Sequence, residues 1–351
     1  MKYMVPAAMA AAAALVAAGC SDDDTTSMPT DAPPGEGVET MTFAVDDASF
    51  TIAVIEDTEG PPLPAAAEPH RIAFGEEEIF ALDIPGVGAP IVLMHGLPDH
   101  TYLYDRLFPE LEGRRVIAFD HVGWGRSTKP SPDDYDYRFV QQRAELEAVL
   151  DYFDVDRLTL VVHDLSGPPG IDFARAEPER VDHLVLLNTF YGRAEGALIP
   201  PKGVELHSDP RLDAAERAVQ LDPAAIESYF RFQMDEFIVS APDEGPFIDG
   251  LWSRWRGSRP AFIAMTNRLI AQVVGLTATE NQALGELTVP VDIVFGVDDP
   301  YLNVDVAQHF ADNIPGSALH LIDNAGHFVQ VDAPATIAPI VRGEEGVLAE
   351  N

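Results

Sequence analysis

The sequence LVVHDLSG, residues Leu160–Gly167, joins an apolar run typical of a buried β-strand to a segment that can begin a helix. Asp164 lies at the junction, with Ser166 and Gly167 close behind it. Such a strand–turn–helix connection is so tight that its neighbours must be small, and it pushes the central side chain into the open. A carboxylate needs no base to deprotonate it at neutral pH, and it can attack an sp³ carbon that carries a leaving group. We therefore predict that Asp164 is a covalent nucleophile.

Strand-like and helical patterns alternate on both sides of this stretch. The strand-like runs are Glu78–Ile84, Pro90–His95, Arg115–Asp120, Leu158–His163, His183–Asn188, Val291–Gly296 and Ala318–Ile322. Apolar strands that alternate with amphipathic helices favour a mostly parallel, twisted sheet covered by helices on both faces. No such strand occurs between Asn188 and Val289, where the sequence is helical and aromatic. We predict a core over 70–190 and 288–345, with a helical cap over 191–287 inserted after the sixth strand.

The first seventy residues do not show this alternation of strand-like and helical patterns. Residues 1–19 have a weakly positive start and an apolar stretch, which is typical of a signal peptide. Small residues precede Cys20, as in bacterial lipoproteins, so we expect Cys20 to be lipidated and 20–40 to be a flexible linker. Residues 41–69 predict an extra strand or hairpin and a proline-rich connector. The expected location is the bacterial cell envelope; the alternative is a soluble periplasmic or secreted protein.

The net charge of −36 limits the partners that this chain can have. Only three lysines occur, and no basic patch is available for nucleic acid. An anionic membrane surface would repel the folded part, so we expect membrane contact only through the lipid anchor. A solvated acidic surface explains the charge most simply.

A base and its orienting acid are expected near the carboxyl end of the chain. His327 stands in a turn directly after a strand, where it can reach over the sheet edge. Asp299, at the end of the preceding strand, is the expected acid, and the adjacent Asp298 is the alternative.

From about Arg71 to Val341 the chain resembles α/β-hydrolases of the haloalkane dehalogenase and epoxide hydrolase group. The resemblance is carried by these motifs: HGLP at 95–98, DxxGxGxS at 120–127, VHD at 162–164, GxxD at 296–299 and GH at 326–327. It implies an α/β-hydrolase fold with nucleophile, acid and base in the order Asp164, Asp299, His327. It also implies an oxyanion hole formed by the N–H groups of Leu97 and Leu165. Neither a cofactor nor a metal is implied.

Several positions depart from that resemblance and bear on the substrate. Leu165 stands where similar dehalogenases have a halide-binding tryptophan, and Leu97 where many have Asn or Glu. Leu165 and Pro168 also lack the arginines with which fluoroacetate dehalogenases bind a carboxylate. These differences favour a small, neutral, apolar substrate that is hydrolysed by water. Val162 favours a dehalogenase over the runner-up, an epoxide hydrolase.

Two further alternatives and one open question remain at this point. A serine esterase would use Ser166, and a non-catalytic binding lipoprotein would use no triad at all. The open question is which group assists the leaving group. Trp252 and Trp255 are three residues apart and share a helix face; we prefer Trp252 as a halide donor, with cap packing as the alternative. In an epoxide hydrolase Tyr229 would protonate the opening ring instead. Oligomeric state is not predicted.

Overall fold

The computed structural model describes residues 38–194 and 221–344. The predicted signal peptide, Cys20 and most of the predicted linker lie outside these ranges. Lipidation of Cys20 and location in the envelope therefore stay predictions.

The main sheet has eight strands: β3 Glu68–Phe74, β4 Glu77–Ile84, β5 Val87–Met94, β6 Arg114–Asp120, β7 Leu158–Asp164, β8 Val181–Thr189, β9 Val291–Gly296 and β10 Ala318–Ile322. Their order across the sheet is β10-β9-β8-β7-β5-β6-β4-β3. Neighbouring strands from β10 to β6 are parallel, and β4 and β3 complete the edge in antiparallel pairing. Every residue of β7 is buried, because this central strand is covered on both faces.

Helices flank the sheet, and a second group forms the cap. The first group is α1 Phe139–Tyr152, α2 Gly167–Ala176, α7 Val304–Asn313, α8 Val329–Asp332 and α9 Pro334–Val341. Between β8 and β9 lie α3 Pro223–Phe237, α4 Glu244–Trp255, α5 Arg259–Thr277 and α6 Glu280–Gly285. None of the helices in the two described ranges is both long and apolar enough to cross a membrane. β8 is the sixth strand of the sheet along the chain, so the predicted fold class is confirmed.

The N-terminal segment forms a separate hairpin, β1 Thr40–Val45 and β2 Ala48–Ala53, in antiparallel register. One boundary differs from expectation: β3 begins at Glu68, two residues inside the segment predicted as connector. Only Ile72 of this edge strand is buried, so its sequence carries a weak apolar pattern.

Between the hairpin and β3, the chain fastens the cap to the core. The Asp57 carboxylate accepts the Gly257 N–H at 2.9 Å at the start of the cap helix α5, and its other oxygen pairs with Lys129 Nζ of the core at 2.9 Å. The Thr58 N–H donates to the Ser253 carbonyl at 2.9 Å. Asp57 therefore links its own segment, between β2 and β3, to both the cap and the core.

Removal of this carboxylate is expected to loosen the cap. Asp57→Ala removes the acceptor of the Gly257 N–H and the carboxylate partner of Lys129, and we expect the free energy of unfolding to fall by about 1–2 kcal/mol. Chemical denaturation measures the loss. Glu56→Ala is the matched control, since Glu56 is exposed and the charge change is the same. Equal stabilities of the two variants would contradict the fastening role.

Candidate active site

Asp164 occupies a strained turn at the end of β7. Its φ is +49°, in the left-handed region that non-glycine residues seldom adopt. Gly96 lies so close that a Cβ there would come within 2.4 Å of the Asp164 Cβ, and a Cβ on Gly167 would lie 2.0 Å from the Thr189 hydroxyl. Both positions require glycine because Gly96 packs directly against the turn, and Gly167 packs directly against the end of β8.

The two oxygens of the Asp164 carboxylate have different surroundings. Oδ1 accepts the Leu97 N–H at 2.8 Å, and the Leu165 N–H also hydrogen-bonds the carboxylate. Oδ2 faces the His327 Nε2 atom at 3.7 Å. The Leu97 N–H, one of the predicted oxyanion-hole donors, thus binds one oxygen of the predicted nucleophile, and the other oxygen faces the predicted base.

His327 is oriented by Asp299. The imidazole Nδ1 donates to the Asp299 Oδ2 atom at 2.8 Å. The same oxygen accepts from Asn188 Nδ2 at 2.8 Å, and Oδ1 accepts the backbone N–H groups of Tyr301 and Leu302 at 2.8 and 3.0 Å. Asp299 is buried whereas Asp298 is exposed, so the structure brings Asp299 rather than Asp298 to the base.

Burial and neighbouring charges set the ionisation of the pair. Burial alone lowers the pKa of His327, but its carboxylate neighbours, above all Asp299 and then Asp164, raise it to about 9. Burial raises the pKa of Asp164, against the opposing effects of His327 and the two backbone N–H donors. At neutral pH the resting pair is therefore a carboxylate beside an imidazolium.

Two buried side chains adjoin this pair. His163 packs its ring 4.9 Å from that of His327 and donates from Nε2 to the His327 carbonyl at 3.0 Å. Its Nδ1 atom lies 3.6 Å from Asp99 Oδ2, just beyond hydrogen-bonding distance. Both side chains are fully buried.

Ser166 is bound to the backbone. Its fully buried Oγ accepts the His163 N–H at 2.8 Å and lies 3.0 Å from the Met94 carbonyl, to which it can donate. These bonds give the hydroxyl a structural task at the turn, and they favour Asp164 over Ser166 as nucleophile.

The cap reaches the site through α3. The Phe237 ring lies 4.4 Å from that of His327, and Phe230, two turns earlier on the same face, contacts Trp252 and Trp255 at 5.3 and 4.7 Å. An aromatic wall therefore extends from the base into the cap.

The three cap residues predicted to assist the leaving group differ in their surroundings. Trp255 is buried, and its indole N–H has no hydrogen-bond partner among the described residues. Trp252 carries the guanidinium of Arg256 over its ring at 5.8 Å. Tyr229 is half-buried on α3 and adjoins Tyr301, whose pKa is raised by burial, by Glu236 and, more weakly, by Tyr229. The buried N–H without a partner makes Trp255 a candidate donor beside Trp252, and the preference for Trp252 stays a prediction.

Three residues at the site were not predicted from the sequence: Asn188, Asp99 and His163. Asn188 ends a strand beside the acid loop, and Asp99 follows the HGLP motif directly, so both were visible as polar residues at strand ends. His163 precedes the nucleophile in the quoted stretch. In the described ranges no group of three or more His, Cys, Asp or Glu side chains is arranged to hold a metal ion.

Comparison with known proteins gives a consistent family. A family model described as alpha/beta hydrolase fold matches residues 89–334. A haloalkane dehalogenase of Mycolicibacterium paratuberculosis is 30% identical over 255 residues, which are 72% of this chain and 81% of that enzyme. A cis-3-alkyl-4-alkyloxetan-2-one decarboxylase of Shewanella oneidensis is 42% identical, but over 106 residues only, 30% of this chain and 33% of that enzyme. The crystal structure of the haloalkane dehalogenase DbeA of Bradyrhizobium elkani superposes with a TM-score of 0.64 at 22% identity, over 79% of this chain and 98% of that one.

Proposed function

Because the chain belongs to the α/β-hydrolase superfamily, in the haloalkane dehalogenase and epoxide hydrolase group, we propose that it hydrolyses a small, neutral, apolar substrate through an ester on Asp164. One observation carries the proposal: the Leu97 N–H binds one oxygen of a carboxylate at the strand–helix turn, and the other oxygen faces His327. The dehalogenase relative makes a halogenated alkane the first substrate class to test.

In the first step, Oδ2 of Asp164 attacks the carbon that carries the leaving group. A C–O bond forms, the bond to the leaving group breaks, and the electron pair departs with that group. Oδ1 becomes the carbonyl oxygen of the ester and stays bound to the Leu97 N–H.

In the second step, His327 removes a proton from water, and the hydroxide formed attacks the ester carbon. Negative charge develops on Oδ1, where the Leu97 N–H already lies, so its stabilisation needs little reorganisation. As the tetrahedral intermediate collapses, the departing alkoxide takes the proton held by His327 and leaves as the alcohol. The acid formed on Asp164 then gives its own proton to His327, which restores the carboxylate and the imidazolium.

Alkylation itself prepares the base. The charge of Asp164 is one cause of the raised pKa of His327. Esterification removes that charge, so the imidazolium releases its proton more readily and becomes able to accept one from water. The base thus becomes active after the nucleophile has reacted.

Leaving-group assistance separates the dehalogenase from the epoxide hydrolase. A departing halide is stabilised by a hydrogen-bond donor, and the side chain of Leu165 has none. The buried Trp255 N–H, which has no partner among the described residues, can donate to a halide. An epoxide oxygen needs a proton, for which Tyr229 is the cap candidate. The unpaired donor favours the dehalogenase.

Trp255→Phe tests this assignment. It keeps an aromatic ring but removes the N–H, so we expect dehalogenation to fall about 10²-fold, the usual cost of one lost donor to developing negative charge. Trp252→Phe is the matched control and should change the rate little. Halide release from 1-bromoalkanes, measured for both variants, decides between them; a larger loss in Trp252→Phe would reverse the assignment.

A substrate panel tests the proposed function as a whole. The purified full-length chain is assayed with bromoalkanes, terminal epoxides, a cis-3,4-dialkyl oxetan-2-one and p-nitrophenyl esters, beside Leu165→Trp. We expect bromoalkane turnover, increased by Leu165→Trp because a donor is restored next to the nucleophile. Epoxide turnover without halide release in both proteins would favour the epoxide hydrolase, and activity with none of the four classes would count against the proposal.

A further inference from the structure

A second carboxyl group shares the site with the nucleophile. Asp99 is completely buried at the end of the HGLP loop, and neither of its oxygens has a hydrogen-bond partner among the described residues. The Nδ1 atom of His163, 3.6 Å away, is also buried and unpartnered. Two adjacent buried polar groups without partners are unusual in a folded core, since each would lose its hydrogen bonds to water.

The hydrogen bond on the other side of His163 fixes what Nδ1 can do. Nε2 faces the His327 carbonyl, which only accepts, so Nε2 carries the proton. Burial, and after it the charge of His327, lower the pKa of His163 well below its ordinary value, so the ring is neutral and Nδ1 is an acceptor. An acceptor at Nδ1 requires a donor at Asp99.

Asp99 can donate only if it carries a proton, and its surroundings favour that form. The Asp164 carboxylate accepts hydrogen bonds from two backbone N–H groups, whereas the Asp99 carboxyl group accepts none from the described residues. When two carboxyl groups compete in one dry site, the proton resides on the one with fewer donors. Burial, and next the charge of Asp164, raise the pKa of Asp99, while His327 opposes them.

The groups that face Asp99 leave this assignment unchanged. They are His163, Asp164, His327 and the Tyr104 hydroxyl, which donates to the Met94 carbonyl at 2.6 Å. Burial raises the pKa of Tyr104 far above neutrality, so it stays uncharged. Only His327 could stabilise an ionised Asp99, and it already pairs with Asp299 and faces Asp164.

We propose that Asp99 is a positioning residue that works as a neutral acid: it donates its proton to His163 Nδ1, and His163 in turn holds the backbone of His327. The role rests on the proposed hydrolase function, because it concerns the base of that reaction. A neutral Asp99 also adds no negative charge beside His327, which therefore releases its proton more readily once Asp164 has been esterified.

The test uses histidine ¹⁵N NMR and kinetics on the full-length chain, with Asp99→Asn and Asp99→Ala as paired variants. Asn is neutral and keeps an N–H donor, so we expect the pKa of His327 and the His163 tautomer to be those of the unmodified protein. Ala has no donor, so the His163 Nδ1 resonance should move while the pKa of His327 stays. These readouts need no substrate, so they stand even if the proposed function fails.

Kinetics then shows whether the positioning matters. We expect Asp99→Asn to keep kcat within about threefold, and Asp99→Ala to lower kcat by about 10²-fold with little change in KM, since a small misplacement of a catalytic group costs about that much. A fall in the pKa of His327 by about one pH unit or more in Asp99→Asn would show that Asp99 is an anion and overturn the proposal. Wild-type turnover and unchanged His163 resonances in Asp99→Ala would overturn it as well.

Discussion

Replacement of His327 by glutamine is expected to stop the reaction at the ester on Asp164. The nucleophile is ionised without help from a base, so the first step proceeds, but no group remains to take a proton from water. Loss of a general base costs about 10²–10⁴ in rate, so one equivalent of leaving group should be released quickly and turnover should then almost cease.

Mass spectrometry after exposure to a bromoalkane measures the trapped intermediate. The intact chain should gain the mass of one alkyl group, and the peptide that contains Asp164 should carry it. The double variant Asp164→Asn/His327→Gln is the control and should stay unlabelled. Steady turnover by His327→Gln would remove this residue from the mechanism.

Asp164→Asn is expected to abolish turnover while keeping the fold. The amide oxygen can accept the Leu97 N–H as Oδ1 does, and asparagine tolerates the left-handed backbone that this turn imposes. It cannot form the ester, and because loss of a covalent nucleophile costs as much as about 10⁶ in kcat, we expect a fall of at least about 10⁴-fold.

A second readout of this variant does not depend on any substrate. The charge of Asp164 contributes to the raised pKa of His327, so Asp164→Asn should lower that pKa, measured by NMR. Ser166→Ala is the matched control: it destabilises the turn by removing hydrogen bonds to His163 and Met94, yet the chemistry should survive. Loss of activity in Ser166→Ala with retention in Asp164→Asn would instead support a serine esterase.

Regular elements and their order were predictable from local patterns. β9 and β10 have the predicted bounds, Val291–Gly296 and Ala318–Ile322, because each is a run of mostly apolar residues between turn residues, although only Ile322 of β10 is buried. β3 was not predicted as a strand because its first four residues, Glu68 to Arg71, include no apolar side chain except that of a proline.

The candidate site residues also fall into two groups. Asp164 and His327 could be predicted from local sequence, because each stands in a turn that follows a strand, and such a turn restricts both the residue types and the direction of the side chain. Between Asp298 and Asp299, only the tertiary structure decided, since both follow the same strand and the choice depends on which one is buried against His327.

Contacts between residues that are far apart in the sequence could not be predicted from the sequence. Asp57 bridges Lys129 and Gly257, the Trp255 N–H is buried with no partner among the described residues, and Asp99 approaches His163 from a different strand end. Each of these depends on which polar groups find a partner after the chain has packed. A buried polar group cannot bond to water, so its energy and its chemistry depend on whether the protein supplies a hydrogen-bond partner. The residues next to it in the sequence show neither its burial nor that partner.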